Sequence, residues 1–232
     1  MEFKRTLLAS LVPVAFALSL SAHAADSFNI NVTGVISPAA CEANITGGET
    51  IDYGTIHVSK LSADAVTVLP GKQTAFSITC DAPAKVGFRT VDNRAGSKMT
   101  SAERIAMDSG ASWTLSNMNG LGSDAKGNHI GGWSADLINF QSDFSTTPFL
   151  LVTGDGGATW GTTATGNMPL YERPGFPDMV YTIGTKVPLA PVAYTTFTGT
   201  LAVQAVINPI STLDLSQPVT LDGSVTVEMV YL

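Results

Sequence analysis

The residues in this chain whose chemistry is easiest to interpret are its two cysteines, Cys41 and Cys80. An even number of cysteines predicts one disulfide where a chain reaches an oxidising compartment. A metal site or a catalytic thiol is the alternative, but neither cysteine has a histidine or a second cysteine at ligand spacing. Closing a loop of this length would stabilise the fold by about 4 kcal/mol in the chain-entropy model.

Catalytic groups are otherwise sparse. No nucleophile elbow, His-Glu-x-x-His motif or phosphate-binding loop accompanies His57 or His129, so both are interpreted as surface or turn histidines. Asp52, Asp155 and Asp178 would act as acid and base only if the fold brought two of them together. We therefore expect no enzymatic activity, no metal and no cofactor.

Two short motifs resemble known loops. Residues 153–160 fit the Asp-box pattern of sialidases and other β-propellers, in which the aspartate and the tryptophan, here Asp155 and Trp160, stabilise a hairpin. The motif occurs once, and the chain has no repeats to supply propeller blades, so it predicts an Asp-Gly hairpin turn. Residues 124–128 faintly resemble a cation-binding turn, but they lack the alternating oxygen ligands and the closing glutamate, which favours a solvated loop.

The first 24 residues have the pattern of an export signal. Lys4 and Arg5 precede an apolar run over residues 6–20, and residues 22–24 form a small-x-small cleavage site. The run is shorter than the roughly 20 residues that a membrane-spanning helix needs. We predict a signal peptide at 1–24 and a mature chain that is exported through the periplasm.

The composition favours a β-protein and excludes two classes of partner. Charged residues make up 13% of the chain and the formal net charge is −7, so there is no basic footprint for nucleic acid or anionic lipid. Abundant Thr, Ser, Gly and Val favour strands and turns over amphipathic helices. No linker or charge run marks a domain boundary, so we expect one domain with an elaborated middle over 92–185.

Alternating apolar and polar residues predict most of the strands. A glycine-interrupted strand is expected over 50–58, and a short helix over 104–108, because residues 100–103 fit a capping box. The remaining strands are expected over residues 73–80, 85–91, 112–115, 130–140, 149–153, 179–183 and 195–207.

The two ends of the chain alternate in the same way. Residues 28–36, which precede Cys41, and residues 225–231 each place apolar side chains on one face of a strand. Together with the cysteine pair, the glycine at Gly34 and the penultimate Tyr231, these ends resemble the fimbrial (pilin) subunits of the chaperone–usher pathway of Gram-negative bacteria.

That resemblance implies an incomplete immunoglobulin-like, pilin-type β-sandwich over 38–232, which lacks one strand, and a donor-strand extension over 25–37. The extension of one subunit would complete the sandwich of the next, after a periplasmic chaperone has held the groove and an outer-membrane usher has directed assembly. The donor residues would be Phe28, Ile30, Val32, Gly34 and Ile36. The groove edge and chaperone contact would be Leu221, Val225, Val227, Met229 and Tyr231.

The function expected from the resemblance is a structural subunit of a surface fimbrium that takes part in adhesion. A tip or adaptor adhesin that binds a host glycan or protein is the first alternative, for which Trp113, Trp133 and Trp160 could form a sugar-stacking face. Packing of these tryptophans within the sandwich is the simpler interpretation. A secreted β-sandwich hydrolase is the second alternative, and it predicts carboxylates clustered in a cleft.

Overall fold

Alternation of apolar and polar residues gives an all-β structure in the part of the chain that the computed structural model describes, residues 32–33, 39–163 and 166–232. The strands are β1 (Cys41–Ile45), β2 (Thr67–Val68), β3 (Lys72–Ala84), β4 (Val86–Asp92), β5 (Arg104–Ala106), β6 (Ser112–Thr114), β7 (Asn119–Gly120), β8 (Gly131–Ser142), β9 (Phe149–Thr153), β10 (Gly161–Thr162), β11 (Met168–Pro169), β12 (Val180–Lys186), β13 (Leu189–Pro191), β14 (Tyr194–Ile207) and β15 (Val225–Tyr231). Short 3-10 turns lie at Val58–Lys60, Ala95–Ser97, Leu115–Asn117 and Ile210–Thr212. Among the described residues, no helix is long and apolar enough to span a membrane.

Two antiparallel sheets contain most of the strands. The first sheet has the order β1-β3-β14-β8-β11, with β2 on β14 and β7 on β8. The second has the order β10-β9-β12-β4-β15, with β13 on β12. Packed sheets of this kind form a sandwich of the immunoglobulin-like class, so the predicted fold class is confirmed. All these strands belong to one compact unit, Pro38–Leu232.

The core of the sandwich is built around Phe197 of β14, which is fully buried. Its ring lies 5.7–6.2 Å, centroid to centroid, from four other aromatic rings. These rings belong to Phe76, Phe88, Phe140 and Tyr194. Because both sheets contribute rings, this cluster holds them together.

A third layer covers the outer face of the first sheet. Leu201 and Val203 of β14 point into the sandwich, whereas Val206 packs on the opposite face in a separate buried cluster. That cluster contains Met99, Met107, Ala111, Trp113, Leu115 and Met118, all from the segment between β4 and β8. Part of the elaborated middle therefore buries a sheet face that would otherwise contact water.

The predicted helix over 104–108 is wrong. Arg104–Ala106 forms β5, which pairs antiparallel with β6 through Ile105 and Trp113. The Ser101 hydroxyl accepts a hydrogen bond from the Glu103 backbone N–H within a local turn, so no capping box forms. Ile105 and Met107 both pack on the outer layer, and two apolar residues spaced by two fit a strand better than a helix.

The strand predicted over 50–58 is also wrong. The carboxylate of Asp52 accepts a hydrogen bond from the Gly54 N–H at 2.7 Å, and Gly54 has φ +64°, so the chain turns here. Its apolar residues Ile51, Tyr53 and Ile56 pack against core clusters as irregular chain. The alternation was therefore a sign of burial and not of a strand.

Candidate functional site

Two strands leave one side of the sandwich open. Within the described residues, β1 pairs only with β3 and β15 only with β4, so each is the edge of its sheet. At one end of this side, the Cys41 N–H donates a hydrogen bond to the Tyr231 hydroxyl at 2.9 Å, which links the two edge strands. We refer to the side of the sandwich bounded by β1 and β15 as the open edge.

The inward face of β15 is apolar but incompletely covered. Met229 lies opposite Phe88 of β4 and packs against the core, which shows that this file of side chains points inward. Val227 and Tyr231 share that face, yet they are 39% and 50% exposed. An inward file that stays open to water is expected where a sandwich lacks a neighbouring strand.

The predicted groove-edge residues divide into two groups. Val225, Val227, Met229 and Tyr231 lie at alternate positions of β15, as the sequence pattern requires. Leu221 lies outside this strand and is half-buried against the smaller core cluster that contains Leu121 and Ile130.

The inward face of β1 is open in the same way. Its register places Cys41, Ala43 and Ile45 opposite Cys80, Ile78 and Phe76 of β3. Ile78 is almost completely buried, whereas Ala43, on the same inward face, is exposed. Both borders of the open edge therefore present apolar side chains that the described residues do not cover.

The disulfide Cys41–Cys80 is present, which confirms the predicted pairing. It joins directly opposed residues of β1 and β3. Among the described residues, β1 has backbone hydrogen bonds to β3 and to no other strand. The disulfide therefore adds a covalent attachment to a strand at the edge of its sheet.

Polar contacts hold β15 to the sheet from its outward face. The carboxylate of Glu228 contacts the Arg89 guanidinium at 2.6 Å, and Asp178 lies 3.6 Å from the same group. Asn93 donates to the hydroxyls of Ser224 and Thr226 at 3.0 and 3.1 Å. Exposed pairs of this kind contribute about 0–1 kcal/mol each, so the β4 ladder supplies most of the anchoring.

Most of the predicted donor residues lie outside the described residues. These are Phe28, Ile30, Gly34 and Ile36. Val32 is described, and it is 94% exposed and not part of a strand. The assignment of residues 25–37 as a donor strand stays a prediction.

The segment 153–160, which fits the Asp-box pattern, forms the predicted hairpin turn, and its loop is longer than a two-residue turn. Residues 154–160 connect β9 to β10, and Gly161 pairs with Val152. The Asp155 carboxylate accepts hydrogen bonds from the hydroxyls of Thr153 and Thr159 and from the Thr159 N–H. These bonds, the Thr153 hydroxyl first, hold the pKa of Asp155 well below its usual range. The carboxylate is a structural part of its own loop.

The segment 124–128 is likewise closed on itself. The Asp124 carboxylate accepts hydrogen bonds from the N–H groups of Lys126, Asn128 and Asp214 and from the Asn128 side chain. Chiefly because of the Asp214 N–H, the pKa of Asp124 falls to about 2. The oxygens that would bind a cation are used as turn acceptors.

The other candidate polar groups lie apart from one another, and three of them have local partners. His57 precedes the first 3-10 turn, and His129 Nδ1 lies 2.8 Å from the Lys98 carbonyl. Asp52 closes its own turn, and Asp178 contacts Arg89. Among the described residues, no group of three or more His, Cys, Asp or Glu side chains is arranged to hold a metal ion.

The tryptophans divide between the interior and the surface. Trp113 is buried, and the Trp133 indole N–H donates to the Gly120 carbonyl at 2.9 Å. Trp160 is half-buried in the hairpin loop beside Gly157. Packing therefore accounts for Trp113 and Trp133, and the sugar-stacking face drawn from all three is not formed.

Sequence reasoning missed one functional group, the carboxylate of Asp136 on β8. It is 1% exposed, and it accepts hydrogen bonds from the Trp113 indole N–H at 3.1 Å and the Ser109 hydroxyl at 3.3 Å. Burial raises its pKa to about 6. The available signal was an aspartate between Ala135 and Leu137, in the middle of a segment predicted to be a strand.

Comparison with known proteins gives distant relatives along the whole chain. A family model described as a protein of unknown function (DUF1120) matches residues 30–134. The chain is 29% identical to the protein GltF of Escherichia coli (strain K12), with 100% of each chain covered. It is 24% identical to the uncharacterized protein YhcF of the same organism, over 92% of this chain and 94% of that protein. The family match includes β1 and the disulfide but not β15.

Proposed function

We propose that this protein is a structural subunit of a chaperone–usher fimbrium that polymerises by donor-strand exchange and contributes to adhesion at the cell surface. The observation that carries the proposal is the open edge, where Val227 and Tyr231 point inward and yet are exposed to water. A strand inserted beside β15 would cover them and extend the second sheet. The proposed role involves no catalysis and no cofactor.

The donor for this edge is the extension of another subunit. Phe28, Ile30, Val32 and Ile36 have the period of two that places them on one face of a strand. Burying four or five such side chains contributes on the order of 6–12 kcal/mol gross. Gly34 lies in the same file and would leave room for a large side chain of the acceptor.

Assembly of this kind requires helper proteins. A subunit with an empty groove exposes apolar side chains and an unpaired strand edge, both of which promote aggregation. A periplasmic chaperone would occupy the edge by strand addition, and an outer-membrane usher would exchange it for the next subunit. Because donor and acceptor surfaces differ, the contact is heterologous and extends into a filament.

The decisive experiment compares the mature chain with a form that lacks residues 25–36, each produced with a matched periplasmic chaperone. We expect the intact chain to form filaments when the chaperone is displaced. The truncated chain should form none, but it should be stabilised against heat by a synthetic peptide of residues 26–37. Filaments built by the truncated chain, or an intact chain that is a stable monomer without chaperone, would refute the proposal.

A further inference from the structure

One end of the sandwich carries an unusual number of exposed apolar side chains. We refer to it as the apolar end. Its exposed residues are Phe144, Phe149, Val187, Leu189 and Leu232.

Pairing in the second sheet brings most of these residues to the same end. Phe149 begins β9 opposite Gly184 of β12, and the Lys186 ammonium lies 5.2 Å from the centre of the Phe149 ring. Lys186 pairs with Leu189, so Val187 lies in the turn between β12 and β13. Val187 is 88% exposed, and Phe149 and Leu189 at the same end of this sheet are exposed as well.

The other two residues extend this surface. Leu232 donates its backbone N–H to the Lys85 carbonyl, next to the beginning of β4. Phe144 follows Asp143, whose carboxylate accepts hydrogen bonds from the backbone N–H groups of Thr195 and Thr196 near the beginning of β14. The apolar end therefore spans both sheets.

The predicted extension joins the domain at this same end. The hydrogen bond from the Cys41 N–H to Tyr231 places the beginning of β1 beside the end of β15. Only residues 37–40 separate the donor residues from Cys41, and four residues span at most about 14 Å. A donor strand inserted in another subunit would therefore bring the apolar end of its own domain up against that subunit.

We propose that the apolar end is the surface by which each subunit packs against the next copy of this chain in the filament. This inference rests on the proposed function. It adds a contact between the bodies of the two domains to the contact made by the donor strand. Such a contact would remove the exposed apolar residues from water and would limit bending at the four-residue link.

The geometry also selects the surface of the neighbour. Antiparallel pairing gives the more stable ladder, so the donor strand would run opposite to β15 and leave the acceptor at its Val225 end. That end carries the exposed Phe176, with the Arg173 guanidinium 4.8 Å from the centre of its ring, and the hairpin loop of Asp155. The anionic Asp155 complements Lys186 at the apolar end.

The first test is the double substitution Val187→Asp with Leu189→Asp, in the intact chain purified with its chaperone. The form that lacks residues 25–36 and carries both substitutions should bind the peptide of residues 26–37 as tightly as the same form without them. Filaments should be shorter by roughly tenfold or more, because two apolar contacts are lost at every joint. Val91→Asp is the matched control, because Val91 is exposed on the outward face of the second sheet.

The outcomes separate the two proposals. Normal filaments from the double variant would overturn the inference and leave donor-strand exchange intact. Absence of peptide binding and of filaments in the unaltered chain would refute both. A double variant whose thermal unfolding differs from that of the unaltered chain is replaced by Val187→Asp alone, since this side chain is almost fully exposed.

A second measurement maps the partner surface directly. A photoreactive amino acid at position 187 should cross-link, in assembled filaments, to the loop that contains Phe176 or to residues near Val225 of another copy. Cross-links confined to the apolar end of the second copy, or none in filaments that are otherwise normal, would contradict the inference.

Discussion

At the scale of single residues, Asp136 is the group whose environment differs most from its usual one. Its carboxylate lies beneath the outer layer, and two of its hydrogen-bond donors, Trp113 and Ser109, come from that layer. Burial disfavours the charged form and raises the pKa to about 6. The side chain therefore connects the packing of the outer layer to pH.

We predict that the titration of Asp136 makes the protein more stable at pH 4.5 than at pH 7. Its pKa is higher in the folded state than the ordinary value of 3.8, so the folded state binds more protons between these values. Its contribution to the free energy of unfolding is fully present below pH 3.8 and is lost as the pH rises through about 6. Two pKa units correspond to about 3 kcal/mol at most.

Urea unfolding of the native protein and of Asp136→Asn, at pH 4.5 and pH 7, measures this effect. Between pH 4.5 and pH 7, the free energy of unfolding should fall more in the native protein than in Asp136→Asn. Relative to the native protein, Asp136→Asn should therefore be more stable at pH 7 than at pH 4.5. The Asp124 pKa of about 2 and the lowered pKa of Asp155 keep these two groups out of the window. Parallel pH dependences in the two proteins would show that Asp136 does not titrate there.

A second prediction concerns two valines of similar exposure. Val227 points inward at the open edge with 39% of its surface exposed, and Val91 points outward from β4 with 37% exposed. Under the proposed function, Val227→Asp should weaken binding of the peptide of residues 26–37 by roughly tenfold or more, because a carboxylate would be buried under the donor strand. Isothermal titration would show Val91→Asp binding like the unaltered protein, and equal losses in both would argue against the groove.

At the scale of elements, strands that pack on the main core were predictable, whereas segments shaped by a local turn or by the outer layer were not. The limits predicted for the strand over 149–153 agree with β9, and those for the strand over 195–207 differ from β14 by one residue. Both strands were recognisable because they place apolar side chains in the core of the sandwich. The helix over 104–108 was predicted wrongly because a capping-box pattern reports only on local sequence. The structure of this segment is determined by the packing of Ile105 and Met107 in the outer layer.

For the candidate site, the sequence predicted the direction of the side chains but not their exposure. Alternation over 225–231 identified which residues of β15 point inward, since the period of two determines the face. It could not show that Val227 and Tyr231 remain exposed, because exposure depends on which strand lies next to β15. Asp136 was missed since its partners, Trp113 and Ser109, lie in another layer.

The outer layer provides a test at this scale. Met107 is 5% exposed in the cluster that contains Trp113, so Met107→Ala should lower the free energy of unfolding by about 2–5 kcal/mol. Ala106→Ser, at the exposed neighbouring position that ends β5, should change it by less than about 0.5 kcal/mol. Equal effects in chemical denaturation would mean that the layer is not packed as described.

At the scale of the whole molecule, the two ends of the sandwich differ in character. The end where β1 begins carries a group of exposed apolar side chains beside Lys186, whereas the opposite end carries loops that include Asp155 and Arg173. A molecule with unlike ends is suited to head-to-tail association, because each end can be complementary to the other without being complementary to itself. The proposed filament uses this polarity twice, in the donor strand and in the contact between domains.

The hydrogen bond between Cys41 and Tyr231 joins residues 190 positions apart, and more than half of the chain separates β15 from its partner β4. The second sheet therefore cannot be completed until the last residues of the chain are available, however early β1 and β3 become joined. Contacts this distant in sequence form slowly and leave unpaired edges exposed in the meantime. The order in which the strands become available thus leaves an interval in which β4 has no partner on the side that β15 will occupy. Under the proposed function, this is the interval in which a chaperone would protect the partly folded molecule, before polymerisation begins.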